Sequence, residues 1–197
     1  NGLDLLVSAT HYDVDGEALY FREFDDPATH HGWADNDHER AGSFFVKSSF
    51  SDFTLTVAHS DREKGVPTAP WETVLITGTG TRDAFTLVGL SWQKNLDDDW
   101  SVFGKVSYNH YNYSGRWFYD DGGIYANKDW WKARWWNGEL QLTKTFSDQH
   151  RLTFGAETQY NVREDQKNWD SEIYLYSRRH SKSWGIYIQD EWKLLDE

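Results

Sequence analysis

Along most of the chain, apolar and polar side chains alternate one for one. That is the period of a β-strand whose two faces meet different surroundings. The clearest case is the segment 139–162. In its second arm Leu152, Phe154, Ala156, Thr158, Tyr160 and Val162 share one face, while Arg151, Thr153, Glu157, Gln159 and Asn161 share the other. The alternation lasts about as long as the 9–11 residues a tilted strand needs to cross a bilayer. The segment therefore predicts two crossing strands joined by a short turn at 147–149.

The same pattern predicts strands over 3–12, 43–50, 53–59, 84–93, 100–113 and 184–194. Leu3, Leu5, Val7 and Ala9 share a face of the first, and Trp100, Val102, Gly104, Val106 and Tyr108 share a face of the fifth. The stretch 84–93 is ambiguous, because Phe85 and Leu87 oppose Val88 and Leu90. With the opening hairpin this makes eight strands. Their connections alternate in length: those near 13–42, 60–83, 115–135 and 163–182 are long, and the turns at 51–52, 96–99 and 147–149 are short. Outer-membrane barrels combine short periplasmic turns with longer extracellular loops. The expected fold is all-β: a transmembrane antiparallel up-and-down β-barrel, with about eight strands here and more in a larger barrel. Eight strands could also close on their own. The polar row of Lys105, Glu139, Gln141, Glu157, Gln159, Gln189 and Glu191 should then face the lumen.

Composition narrows the picture. The chain of 197 residues has no Cys, so disulfides and thiolate metal sites are excluded. No run approaches the ~18 apolar residues of a membrane helix. A net charge of -12 argues against a nucleic-acid partner, since phosphate backbones need clustered Lys and Arg. The mean hydropathy of -0.81 fits a barrel, in which half of every strand and all of every loop stay polar. The 12 Trp, 11 Tyr and 11 Phe suit strands and the aromatic girdles at the two membrane interfaces.

Two outer loops hold candidate ligand contacts. The first carries His30, His31, Trp33 and His38 among Asp35, Asn36 and Asp37. Imidazole and carboxylate oxygen suit divalent transition metals, but the spacing matches no defined site, and a solvated polar loop accounts for the same residues. The identity of any metal stays unknown. The third loop carries Arg116, Trp117, Tyr119, Trp130 and Trp131, with Lys132 and Arg134 nearby. Such aromatic and cationic groups could stack on a flat anionic chelate. They could equally be a girdle, the reading favoured for Trp135 and Trp136. The Gly-rich run 77–81 lacks the Gly-Lys-Ser/Thr ending of a phosphate cradle. No catalytic triad or carboxylate pair can be assigned, so no enzyme activity and no cofactor are expected.

The stretch SWGIYIQDEWKLLDE resembles the YxQDEW strands of TonB-dependent outer-membrane receptors. FTLTVAHSDREKGVPTAP, WSVFGKVSYNHYNYSG, LTFGAETQYN, GLDLLVSATHYDVDG and LYFREFDDPAT are similar to strands and loops of the same barrels. The resemblance implies an interior section of a receptor barrel of roughly twenty-two strands, without the plug domain. It further implies the bacterial outer membrane, a bilayer as partner, and the TonB system and plug as partners of a full receptor. Its function would be uptake of a scarce nutrient such as a siderophore or metal chelate. Two alternatives stay open from the residues: a small standalone eight-stranded structural or adhesion barrel, and a soluble carbohydrate-binding β-sandwich.

Overall fold

The computed structural model describes residues 2–75, 78–147 and 149–193. Eight long strands form one antiparallel sheet: β1 (Leu3–Val14), β4 (Glu39–Phe50), β5 (Phe53–Gly65), β6 (Gly80–Asn95), β7 (Trp100–Asp120), β8 (Ile124–Ser147), β9 (His150–Trp169) and β10 (Ile173–Trp192). They neighbour one another in chain order, an up-and-down arrangement that stays open between β1 and β10 among the described residues. Short strands β2 (Leu19–Tyr20) and β3 (Trp33–Ala34) pair within the first long connection. The end of the strand expected over 184–194, residue 194, lies outside the described residues, as do 76–77 and 148.

Pairing fixes the faces, because residues directly opposite in a ladder project to the same side. One row reads Leu3, Phe50, Phe53, Trp92, Gly104, Leu140, Ala156 and Ile186 across all eight strands. The adjacent row, on the opposite face, reads Asp4, Ser49, Thr54, Ser91, Lys105, Glu139, Glu157 and Gly185. The ambiguity of 84–93 is thereby resolved: Val88, Leu90 and Trp92 lie on the apolar face and Phe85 and Leu87 on the polar one.

Among the described residues no second layer covers the apolar face. Trp184 and Ile186 are 79% and 78% exposed, and Leu3, Leu5, Val7, Leu140 and Ile188 are exposed with them. Burying one such side chain stabilises by about 1.5–3 kcal/mol, so a continuous exposed band of them has lipid as its natural solvent. This removes the β-sandwich alternative, which needs two sheets meeting on a core. Aromatic residues bound the band. At the end with short turns stand Trp100, Phe146 and Trp192, the first two under Lys144 at 4.8 and 4.9 Å and the last stacked on His150. At the other end Tyr108 packs on Trp136 at 5.1 Å, and Lys182 lies over Tyr160. The band slants across the ladder: β4 and β5 turn directly after Phe50 and before Phe53, in the row of Ile186, whereas β10 continues below Ile186 to Ile188 and Trp192. That slant is the mark of strands tilted to the membrane.

The short turns are laced together. Asp97 caps its turn by accepting from the Asp99 and Trp100 amides. The carbonyls of Asp52, Asp99 and Gln149 accept from the amides of Gln93, Thr145 and Lys193 respectively, each on the next hairpin.

Two of the long connections are largely strand. β7 runs on to Asp120 and β8 starts at Ile124, so the span 115–135 is a hairpin extension around a turn at 121–123. The span 163–182 likewise belongs to β9 and β10, which meet around Asp170. Both escaped the alternation test because, beyond the membrane, neither face has to be apolar. A bulge at Val162 also breaks the strict alternation of β9. Asn161 pairs with Trp135 while Arg163 pairs with Arg134, so Val162 is the extra residue and the odd-numbered Arg163, Asp165 and Lys167 turn to the outer face. Val162 is exposed and has no partner on β8, so the paired apolar row of β9 ends at Tyr160.

Candidate functional site

The polar face is the only surface on which this sequence gathers hydrogen-bonding side chains at membrane depth in the described residues. Lys105, Glu139, Gln141, Glu157, Gln159, Gln189 and Glu191 all project to it, and Lys105, Glu139, Glu157 and Gln159 line a recess of about 310 Å³ with Ser107 and Asn137. Ser107 and Asn109 are nearly inaccessible, at 4% and 3% exposure. Side chains two residues apart on one strand reach each other here. Gln141 donates to Glu139 at 2.7 Å, Asn109 to Ser107 at 3.3 Å and Gln159 to Asn161 at 2.9 Å. The chain continues from Asn161 to Ser181 and from Ser181 to Glu164, both at 2.7 Å. Nearest the short turns, Arg151 pairs with Glu191 at 3.6 Å.

Gly155 makes one of these contacts feasible. The ring of Tyr187 lies where a Cβ on Gly155 would stand. Across this gap the Tyr187 hydroxyl donates to Glu139 at 3.0 Å. Glu139 thus holds two donors, from β8 and β10, across β9.

Beyond the membrane band the same face turns aromatic. Phe85 meets Trp135 at 6.0 Å, Tyr113 meets Trp131 at 5.2 Å and Tyr119 stacks on Tyr125 at 5.8 Å. Between them sits Asp129. Its carboxylate accepts from the Trp117 indole at 3.2 Å, and the Tyr113 hydroxyl converges on the same space over Gly115. A Cβ on Gly115 would collide with the Asp129 carboxylate. Burial pushes the Asp129 carboxyl up, opposed by hydrogen bonds from Trp117 and Tyr113. Burial, then the Asp129 charge, pushes the Tyr113 phenol up. Tyr111 is raised to about 12 by burial and by donating to Asp83 at 2.6 Å. Residues 66–75 close over this cluster: Trp71 packs edge-on against the buried Trp117 at 4.8 Å, and the Val74 amide donates to the Phe118 carbonyl. Asn36 ties the first connection to it by donating to the carbonyls of Val66 and Thr79.

The residues singled out in the loops are distributed by these geometries. Trp131, Trp117 and Tyr119 lie on the polar face; Trp130 and Arg116 lie on the outer one, beside Lys132 and Phe118 respectively. Adjacent strand residues must part in this way, so Trp130 and Trp131 do not form one platform. Trp135 and Trp136 part likewise, and only Trp136 joins the girdle. His30 and His31 occupy left-handed turns, with His31 3.4 Å from Asp25, while Trp33 packs on Tyr20 at 5.4 Å. His38 and Arg116 line a second recess of about 390 Å³ with Lys64 and Arg82. Among the described residues no three His, Asp or Glu side chains are grouped to hold a metal ion. Tyr111, Tyr113, Asp83 and Asp129 were missed from sequence. Extending the odd-numbered polar face of β7 and β8 past the band would have found Tyr111, Tyr113 and Asp129.

A family model described as "TonB dependent receptor-like, beta-barrel" matches residues 18–197. Nothing matches among curated proteins or among solved structures.

Proposed function

Because the chain belongs to the family of TonB-dependent receptor β-barrels of the bacterial outer membrane, we propose that its polar face forms part of the passage for a scarce nutrient. The nutrient would be taken up as a siderophore or another metal chelate. The family consists of transporters and not enzymes, so the question is what the wall binds and lets through. The observation that carries the reading is the aromatic cluster of Tyr113, Trp131 and Tyr119, backed by the buried Trp117, at the outer end of the hydrophilic wall. Aromatic faces offer a flat chelate stacking area of about 0.5–1.5 kcal/mol per ring pair beyond burial. His38 and Arg116 line a separate recess, with Arg116 on the outer face and Lys64 and Arg82 already paired to Asp37 and Asp61. His30, His31 and Trp33 belong to the loop above. Within the membrane, Glu139, Gln141, Glu157 and Gln159 supply polar partners for water, for a ligand in transit, or for a plug domain moved through TonB.

The test uses the full receptor in cells and follows uptake of labelled ferric chelates under iron starvation. Trp131→Ala is expected to weaken ligand binding by about ten-fold, one lost ring contact with its burial. Trp130→Ala, on the opposite face of the same strand, should leave binding unchanged. Equal effects of the two substitutions would overturn the reading.

A further inference from the structure

We propose that the outer face of β8–β10, immediately beyond the aromatic girdle, is a binding site for the phosphate groups of an outer-leaflet lipid. On this face the ladder places Arg134 opposite Arg163, Lys132 opposite Asp165 and Arg178, Trp130 opposite Lys167 and Tyr176, and Lys128 opposite Trp169. Lys182 joins them one row lower, over Tyr160. Seven cations therefore share three adjacent strands with one carboxylate. That carboxylate, Asp165, is buried and already held by Arg163 at 2.6 Å. Among the described residues no carboxylate lies within ion-pair distance of Lys128, Lys132, Arg134, Lys167, Arg178 or Lys182.

The contrast with the rest of the molecule gives the patch its meaning. The chain as a whole carries -12. On the outer face of β1, β4, β5 and β6 the arginines are matched across strands, Arg40 to Asp13 at 3.1 Å and Arg82 to Asp61 at 2.7 Å. Those pairs neutralise themselves; the β8–β10 cations do not. Aromatic rings hold several of them in place: Lys132 stands over Trp130 at 5.0 Å, Lys167 over Trp169 at 4.4 Å and Arg178 over Tyr176 at 5.0 Å. The bulge at Val162 completes the surface, since it turns Arg163 and Lys167 outward.

Position selects the occupant. The patch starts one row above Tyr108, Trp136 and Tyr160, where the apolar band stops and lipid headgroups begin. With short turns at the periplasm, this is the external leaflet. Three strands and four rows span about 10 by 20 Å, the scale of one headgroup bearing more than one phosphate. Each cation near such a surface adds attraction for an anionic headgroup, and salt screens it.

The test titrates the full-length protein in non-ionic detergent with diphosphorylated lipid A, with the same lipid dephosphorylated, and with inorganic phosphate. The diphosphorylated lipid should bind most tightly, and less so as salt is raised. The triple variant R134Q/K167Q/R178Q should bind it at least about ten-fold more weakly, and R178Q alone about five-fold. R134K/K167R/R178K, which keeps the charges, and R179Q, on the polar face of β10, should both stay within about two-fold. The proposal is overturned if the triple variant or R178Q in its folded form binds like the parent, if R179Q loses as much, or if dephosphorylated lipid or free phosphate binds equally well. The inference rests on the membrane orientation and not on the nutrient, so its failure would leave the uptake reading standing.

Discussion

Tyr187, Gly155 and Glu139 show how narrowly a single residue can be specified within a polar wall. The hydroxyl of Tyr187 reaches Glu139 because the intervening strand offers no side chain at Gly155. Gly155→Ala should force the ring aside and break that bond, costing about 1–3 kcal/mol. Adding Tyr187→Ala should remove most of the penalty that the alanine introduces, a coupling readable in a double-mutant cycle of thermal unfolding in micelles. Additive effects would show that the ring and the glycine are independent. The Asp129 cluster follows the same rule: Gly115 leaves the space into which Asp129, Trp117 and Tyr113 converge.

At the scale of a strand, β9 carries most information. Its ladder is regular from Leu152 to Asn161, is interrupted at Val162, and then resumes with Arg163 facing outward. Deleting Val162 should leave the pairing of Arg163 with Arg134 intact and change stability by less than about 1 kcal/mol, since only the extra residue is lost. Deleting Thr158 from the regular ladder should instead turn Gln159 and Asn161 toward lipid and Tyr160 inward, costing roughly 2 kcal/mol or more per unpartnered amide. Heat-modifiable electrophoretic mobility reports the folded fraction of each; equal tolerance of both deletions would contradict the register. These details mark the boundary of what was legible in the sequence. All eight strands were readable at membrane depth, where lipid forces one face to be apolar. The extensions of β7 to β10 were not, because both faces there meet water or protein. The bulge carried no glycine or proline signal. Trp130 and Trp131 can form one platform in a loop, but consecutive strand residues part to opposite faces.

The whole molecule is a two-sided wall whose apolar side has no protein partner among the described residues. Leu140 lies midway between the two aromatic girdles, in the row shared with Leu3 and Ile186. Leu140→Lys should therefore cost about 2–4 kcal/mol in a bilayer. Its neighbour Gln141, on the polar face, should accept Lys within about 0.5 kcal/mol. Equilibrium unfolding in lipid vesicles separates the two, and similar costs would sink the assignment of faces. Such an asymmetry is the property a transporter wall requires, with the solvent of one side lipid and that of the other water.

The lacing of the short turns bears on how such a wall is built. A finished hairpin leaves the carbonyl of Asp52, Asp99 or Gln149 at a fixed place on its rim, and the next hairpin docks an amide there. The offset recurs at all three turns, so each arriving unit finds the same latch at the same height. Once latched, the long free arms can zip outward without searching among registers, and a slip by two residues is penalised before the rest has formed. The hairpin then becomes the natural unit of growth and also of inheritance. Duplicating or removing one preserves every latch, and the wall can change its circumference in steps of two strands without redesign of its neighbours.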